Sequence, residues 1–279
     1  MSARRLAEVM AIVNRTPDSF YDKGLTWQLE AALERCDVAV SEGATIIDVG
    51  GVKAGPGDEV TAAAEIDRIV PVVEAVAKRH PEVTVSVDTW RADVAESAIS
   101  AGARLINDTW AGWDEKLVEV AGAHQTGYVC SHTGGATPRT RPHRVGYDDI
   151  VADVIRETTA LAERAVACGV PAERVYIDPT HDFGKNTFHG LELLRRVDEL
   201  VATGWPVLMA LSNKDFVGEA LDRGVGERTA GTLAATAWAA ARGVAAFRAH
   251  EVAETVDVIA MTAAIAGDIP PAATIRGLA

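Results

Sequence analysis

Polar side chains recur at wide intervals along the chain, each directly after a short apolar run. They are Asn14, Asp48, Asp88, Asn107 with Asp108, His132, Asp178, Ser212 with Lys214, and Arg248 with His250. The set divides by chemistry. The carboxylates and amides of Asp88, Asn107 and Asp178 match the donors and acceptors of a polar heterocycle, while Lys214, Arg248 and His250 suit phosphate oxygens through charge-assisted hydrogen bonds. One part of such a site reads a ring and the other an anion. Each residue also has a plainer reading: Asp88 and Asp108 as helix N-caps, Asp48 as an anchor for the Gly50–Gly57 loop, His132 as a semi-buried histidine. The glycines of that loop are weak evidence for a phosphate cradle. His143, His181 and His189 lack metal-ligand spacing.

The elements that must position these residues are legible from period. Short runs rich in Val and Ile alternate with stretches of helical pattern, the signature of βα units around a parallel sheet. The runs are Val9–Val13, Thr45–Val49, Val83–Val87, Arg104–Asn107, Gly127–Cys130, Arg174–Ile177, Pro206–Leu211 and Val244–Phe247. Five are preceded by a glycine just past a helix end, at Gly43, Gly102, Gly169, Gly204 and Gly243, where a left-handed residue turns the chain back to the sheet. Eight repeats without a Gly-rich first βα turn match a single-domain α/β fold, a closed (β/α)8 TIM barrel, better than an open doubly wound sheet. In such a barrel the chemistry sits at the C-terminal ends of the strands, where the polar residues from Asn14 to His250 that directly follow an apolar run all fall. The tract Thr232–Ala241 reads as core helix. No linker divides residues 1–279, and 269–279 read as a C-terminal tail.

Composition narrows the partners. The 279 residues are 48% hydrophobic and 24% charged, with a formal net charge of −13, so the whole-molecule field opposes nucleic acid and acidic lipid. Any bound anion must be held locally. Arg15, Lys23, Lys53, Lys185, Lys214 and Arg248 are the cations available at one mouth. No apolar run approaches the ~20 residues of a membrane span, and the N-terminus reads as a first strand, not a signal peptide. Cys36, Cys130 and Cys168 offer neither a disulfide framework nor a zinc site, and a reducing cytoplasm is the expected location.

The quoted segments resemble the dihydropteroate synthase family along nearly the whole chain. IVNRTPDSFYDKG (Ile12–Gly24) looks like that family's first-loop signature, N-V-T-P-D-S-F-S-D-G-G, and IDVGG (Ile47–Gly51) opens the second. SVDT (Ser86–Thr89), INDT (Ile106–Thr109), IDP with FGK (Ile177–Lys185), SNK (Ser212–Lys214) and RAHEV (Arg248–Val252) follow in family order. The resemblance implies a dihydropterin pyrophosphate in the barrel, its ring bonded by Asp88, Asn107, Asp178 and Lys214, with the ring amino group on Asp178. Asn14, Arg248 and His250 match the pyrophosphate end, with Asn14 the residue matching a Mg2+ ligand. The implied reaction loosens the C–O bond to pyrophosphate and joins the pterin methylene to the amine of p-aminobenzoate, with Asp22, Lys214 and Arg248 as the expected catalytic residues. A homodimer through the late barrel helices is implied too, with the Ala-rich helix near Glu227–Arg242 as the contact. Asp18 is expected to shape the first-loop turn.

The sequence also departs from the family pattern. The second loop, G-G-E-S-T-R-P-G in the family, here reads G-G-V-K-A-G-P-G, so that Ala54 and Gly55 stand where the family has Thr and Arg. S-R-K becomes Ser212–Asn213–Lys214, losing a flat cationic fork. Arg15 and Lys23 replace a valine and a glycine of the first loop, and Thr180 and Asp182 replace two glycines. The TGGATPRTR stretch after His132 lacks the family's methionines. Two readings remain: a dihydropteroate synthase of weak activity, or a divergent paralogue, of the kind some actinobacteria carry beside their synthase, that binds a pterin or another small anion without making dihydropteroate.

Overall fold

A computed structural model describes residues 6–16, 26–140 and 145–276. The strands are β1 (Glu8–Asn14), β2 (Ile46–Gly50), β3 (Thr84–Asp88), β4 (Leu105–Asp108), β5 (Gly127–Ser131), β6 (Val175–Asp178), β7 (Leu208–Met209) and β8 (Ala246–Ala249). The helices are α1 (Leu29–Ser41), α2 (Ala62–Arg79), α3 (Ala92–Ser100), α4 (Glu115–Ala123), α5 (Ile150–Ala167), α6 (Thr187–Arg195), α7 (Val197–Val201), α8 (Asp215–Leu221), α9 (Thr229–Ala241) and α10 (Val252–Ala266).

Each expected apolar run overlaps a strand. All pairings are parallel, in the order β6-β5-β4-β3-β2-β1-β8-β7. A single bridge from Ile177 to Val207 joins the two ends, and the Ile177 N–H donates to the Pro206 carbonyl at 2.9 Å. The fold is therefore a (β/α)8 barrel, nearly closed, with its short seam at β7. The run expected over Pro206–Leu211 shortens to two residues because its C-terminal half peels away into the mouth. The glycines at 43, 102, 169, 204 and 243 all have positive φ, between 84° and 116°, which a residue with a Cβ rarely adopts.

Strand alternation decides what faces the barrel axis. Met10, Ile46, Leu105, Val129, Leu208 and Ala246 form a closed inner layer, while their neighbours Ala11, Ile47, Ile106, Cys130, Met209 and Phe247 pack outward in the main core beneath the helices. Two residues further along each strand, the inner layer gives way to the mouth. The tract Thr232–Ala241 differs from the core helix expected. Within α9 only Thr232, Thr236 and Ala239 are buried, and Trp238 is 46% exposed, because the helix packs on α10 and leaves its outer face to solvent.

Candidate functional site

Continuing the inward period of β2 from Ile46 places Asp48 under the mouth, fully buried. Its carboxylate accepts from Ser86 Oγ at 2.6 Å, Asn107 Nδ2 at 3.0 Å and Arg248 Nε at 2.6 Å. Arg248 also donates through Nη2 to Asp88 at 3.0 Å, and Asp88 accepts from Thr109 Oγ1 at 2.5 Å. Four strands thus meet in one hydrogen-bonded group. Burial raises the Asp88 pKa, with Arg248 acting against the shift and Asp48 reinforcing it. Burial opposes the Arg248 charge, yet Asp48 and Asp88 together raise its pKa.

Above this group opens a cavity of about 670 Å³. Asn14, Asp88, Lys214, Arg248 and His250 line it, as do Lys53 and Lys185. Asn107 and Asp178 lie behind that lining, 2% and 4% exposed. Arg15 does not line the cavity. Its guanidinium packs 5.9 Å from the Trp27 ring centroid, and its backbone N–H donates to the Gly50 carbonyl at 2.7 Å. Asp22, Asp18, Lys23 and His143 fall outside the described residues.

The loop from β6 to α6 forms one wall. Lys185 turns its ammonium inward to the carbonyls of His132, Thr180 and Phe183 at 2.8, 3.2 and 2.9 Å, and burial lowers its pKa to about 7. Burial raises Asp178 to about 6, against the opposing pull of the Thr180 N–H, Lys214 and Lys185. Thr180 and Asp182 both have positive φ, 50° and 71°, at positions where the resembling family has glycine. Such conformations cost of order 1–3 kcal/mol each, and side-chain bonds hold them. Thr180 Oγ1 donates to the Asp178 carbonyl at 3.0 Å and accepts from His132 N at 3.2 Å, while the Asp182 carboxylate accepts from Asp215 N at 2.7 Å. His181, between them, is fully buried with its ring 5.1 Å from that of Phe216, and burial lowers its pKa to about 3.

The adjoining wall, after β7, explains where a cation is lost. Asn213, 4% exposed with φ 56°, donates through Nδ2 to Glu251 Oε1 at 2.7 Å. Its side chain is tied into the barrel wall. Ser212 Oγ donates to Glu251 Oε2 and lies 2.8 Å from His250 Nδ1, fixing the imidazole, and Arg35 of α1 holds the His250 carbonyl at 2.8 Å. Lys214 Nζ sits 5.3 Å from the Phe183 ring centroid, and Phe183 meets Trp110 edge to face at 5.2 Å. An aromatic wall and a cation therefore stand side by side.

Several plainer expectations are settled here. Asp88 and Asp108 are not helix caps, since α3 is capped by Arg91 and α4 by Asp114. Asp108 points outward and accepts from Tyr128 Oη, Trp110 N and Gly112 N. Asp48 anchors Arg248 and not the following loop. His132 also turns outward, its Nε2 2.9 Å from Asp153. In the second loop Gly51 is required by packing: a Cβ there would stand 2.8 Å from Ile69 and 3.0 Å from Glu65. Among the described residues no group of three or more His, Cys, Asp or Glu is placed to hold a metal. Asp48 was expected at the mouth but without a role in binding, and Asp182 and Phe183 were noted only as parts of a family motif; Trp110 was not anticipated, and nothing local marks it.

A model of the family described as "Pterin binding enzyme" matches residues 10–250. The chain belongs to that family. Within it, the chain is 62% identical over 275 residues to inactive dihydropteroate synthase 2 of Mycobacterium leprae, covering 97% of this chain and 94% of that one. It is 38% identical over 253 residues to the dihydropteroate synthase of Escherichia coli, covering 90% and 89%. The crystal structure of Yersinia pestis dihydropteroate synthase in complex with a sulfonamide drug superposes with a TM-score of 0.88 at 36% identity, covering 95% of each chain. The molecule is thus a pterin-binding barrel of the dihydropteroate synthase-like transferases, and no helix among its described residues is long and apolar enough to cross a membrane.

Proposed function

We propose that this pterin-binding barrel binds a dihydropterin pyrophosphate at the Asp88–Arg248 end of its cavity, and that condensation with p-aminobenzoate is weak or absent. The observation that carries the reading is the contrast between two parts of one lining. Arg248 is bonded to Asp88, and both line the cavity with Lys214 and His250, whereas Ala54 and Gly55 leave Lys53 as the only charge in that stretch of the second loop and Asn213 is spent on Glu251.

The chain's own residues divide the work. Asp178 and Asn107, backed by the strand ends, accept and donate to the edge of the ring. Asp88, close to Arg248, stabilises positive charge that develops on the pterin as its C–O bond loosens. Lys214, Arg248 and His250 hold the departing pyrophosphate. The Asn14 amide oxygen lies near the mouth floor, 3.2 Å from where a Cβ on Gly50 would stand. One neutral oxygen fits Mg2+ only if pyrophosphate and water complete an octahedral shell. The ion would then supply neutralisation of the leaving group.

What is missing is charge stabilisation on the amine side. Losing one preorganised donor costs ~2.7–4 kcal/mol, a rate factor of ~10²–10³. The 62% identity to a protein named inactive dihydropteroate synthase 2 supports a binder over an efficient catalyst. We also propose a cytoplasmic homodimer through α9 and α10, since Trp238, Met261 and Ile265 leave an apolar outer surface there. The deciding experiment pairs calorimetry on a pterin pyrophosphate with a turnover assay using p-aminobenzoate. Binding without family-level turnover is expected; ordinary turnover in the unmodified protein overturns the reading.

A further inference from the structure

Beside the cations Lys53, Lys185 and Lys214, the cavity lining carries a carboxylate that a benzoate held against it would meet unfavourably. Asp182 lines the cavity beside Phe183 and Lys214. Its Oδ2 is held by the Asp215 backbone N–H at 2.7 Å, while Oδ1 accepts no hydrogen bond from the described residues. Asp215 lines the same rim, with its own carboxylate paired to Arg228 at 2.9 Å. Lys214, the cation nearest the aromatic wall, has its ammonium over the Phe183 ring. Asp182 also occupies a left-handed backbone position, φ 71°, which aspartate tolerates better than most side chains. That backbone geometry and the Asp215 bond fix a carboxylate at the edge of the aromatic surface on which an arylamine would lie.

We propose that Asp182 is a specificity-determining residue that selects for an uncharged arylamine in the outer cavity and against one bearing a carboxylate. The proposal rests on the pterin reading above, with the pterin at the Asp88–Arg248 end leaving the Phe183 side of the cavity to the amine. A carboxylate on the amine would face the Asp182 charge at short range in a partly desolvated cleft. At an intermediate effective dielectric that repulsion weakens binding by about tenfold. The neutral isostere escapes it.

The test compares p-aminobenzoate with 4-aminobenzamide, which differ in that one charge. The full-length protein is first titrated with 6-hydroxymethylpterin and pyrophosphate, an unreactive pair, and each amine is then titrated into the resulting complex. The wild type is expected to prefer the amide by about tenfold. Asp182→Asn keeps an oxygen for the Asp215 N–H and a residue type suited to positive φ, and it should bring the two amines to parity. Asp222→Asn changes another left-handed aspartate, φ 53°, that does not line the cavity, and should leave the preference intact. A wild type with equal affinities, or with a preference for the benzoate, overturns the proposal. So does a preference that Asp182→Gly abolishes and Asp182→Asn preserves, because the cause would then be backbone shape and not charge. Failure of all the proteins to bind the pterin pair overturns the pterin reading first, and this inference with it.

Discussion

Arg248 is held by Asp48 from directly beneath the mouth, Nε to carboxylate at 2.6 Å, across a barrel in which the two residues are 200 positions apart. Asp48 is fully buried, and the second arm of the guanidinium is on Asp88. A charge this deep is tolerable only while its partners remain.

Asp48→Ala should therefore lower stability by about 3–5 kcal/mol, the usual result of orphaning one member of a buried pair. Urea unfolding followed by circular dichroism would read the loss as a lower midpoint at unchanged slope. An effect under about 1 kcal/mol would mean that Arg248 finds another partner.

Asp178 predicts a pH signature. Its pKa is pushed up to about 6 by burial, and a ligand N–H needs the ionised carboxylate as acceptor. Pterin affinity should fall as pH drops through about 6, approaching tenfold per unit below it, and Asp178→Asn should flatten that slope while weakening binding about tenfold at neutral pH. For folding, the sign runs the other way. A carboxyl protonated more readily in the native state than in the unfolded chain makes stability decline as pH rises from about 4 towards 6. Calorimetry from pH 5 to 7.5 checks the first expectation and urea midpoints at pH 4 and 6 the second.

Lys185 is a structural cation as much as a site residue. Its ammonium satisfies three carbonyls from the loops after β5 and β6. Lys185→Met would remove that donor from all three; Thr180 keeps the Phe183 N–H at 3.2 Å, so the cost falls on the His132 and Phe183 carbonyls, at about 1–3 kcal/mol each if they remain dry. The expected result is a strongly lowered thermal midpoint, together with faster amide exchange in the Thr180–Gly184 segment.

Restoring the amine side should prove uneven. A Cβ on Gly55 meets nothing closer than Lys53 Cε at 3.8 Å, so Ala54→Thr with Gly55→Arg should change stability by no more than about 0.5 kcal/mol. Asn213→Arg must break the Glu251 bond from a buried position and should cost about 1–3 kcal/mol. The triple variant should nevertheless gain dihydropteroate turnover over the parent. A triple variant that is folded, binds pterin and remains inactive would shift the block to Thr180, His181 and Asp182.

Assembly has a simple probe. Met261 and Ile265 of α10 are 60% and 75% exposed beside Trp238, so Met261→Glu should convert a micromolar dimer to monomer in sedimentation velocity, without moving the thermal midpoint of the isolated fold. A wild type that sediments only as monomer would remove the proposed interface.

Much of this site was legible along the chain, because strand period carries directional information. In β1, Met10, Ile12 and Asn14 share one face; the same parity in β8 puts Ala246, Arg248 and His250 inward. Counting by twos from an apolar inner residue reaches the mouth. The same rule separates Asp88 from Asp108, which a list of polar strand ends places together. The glycines after the helices were equally readable, because a left-handed turn between helix and strand has few other solutions.

The sequence by itself determined the barrel, the ordered polar strand ends and the family, since each follows from local period, turn chemistry or a contiguous motif. Tertiary structure decided the partners. That Asp48 neutralises Arg248, that Asn213 spends its amide on Glu251, and that Lys185 turns in to three carbonyls all depend on contacts between segments 38 to 200 residues apart or on which carbonyls a loop presents. Asp182 is the clearest case. Its residue type is plain in the sequence, but its backbone conformation, its bond to Asp215 N and its place beside Phe183 arise only when the β6 and β7 loops meet over one cavity. Charge and hydrogen-bonding capacity belong to a residue, whereas the dielectric and the partner that give them an energy belong to the fold.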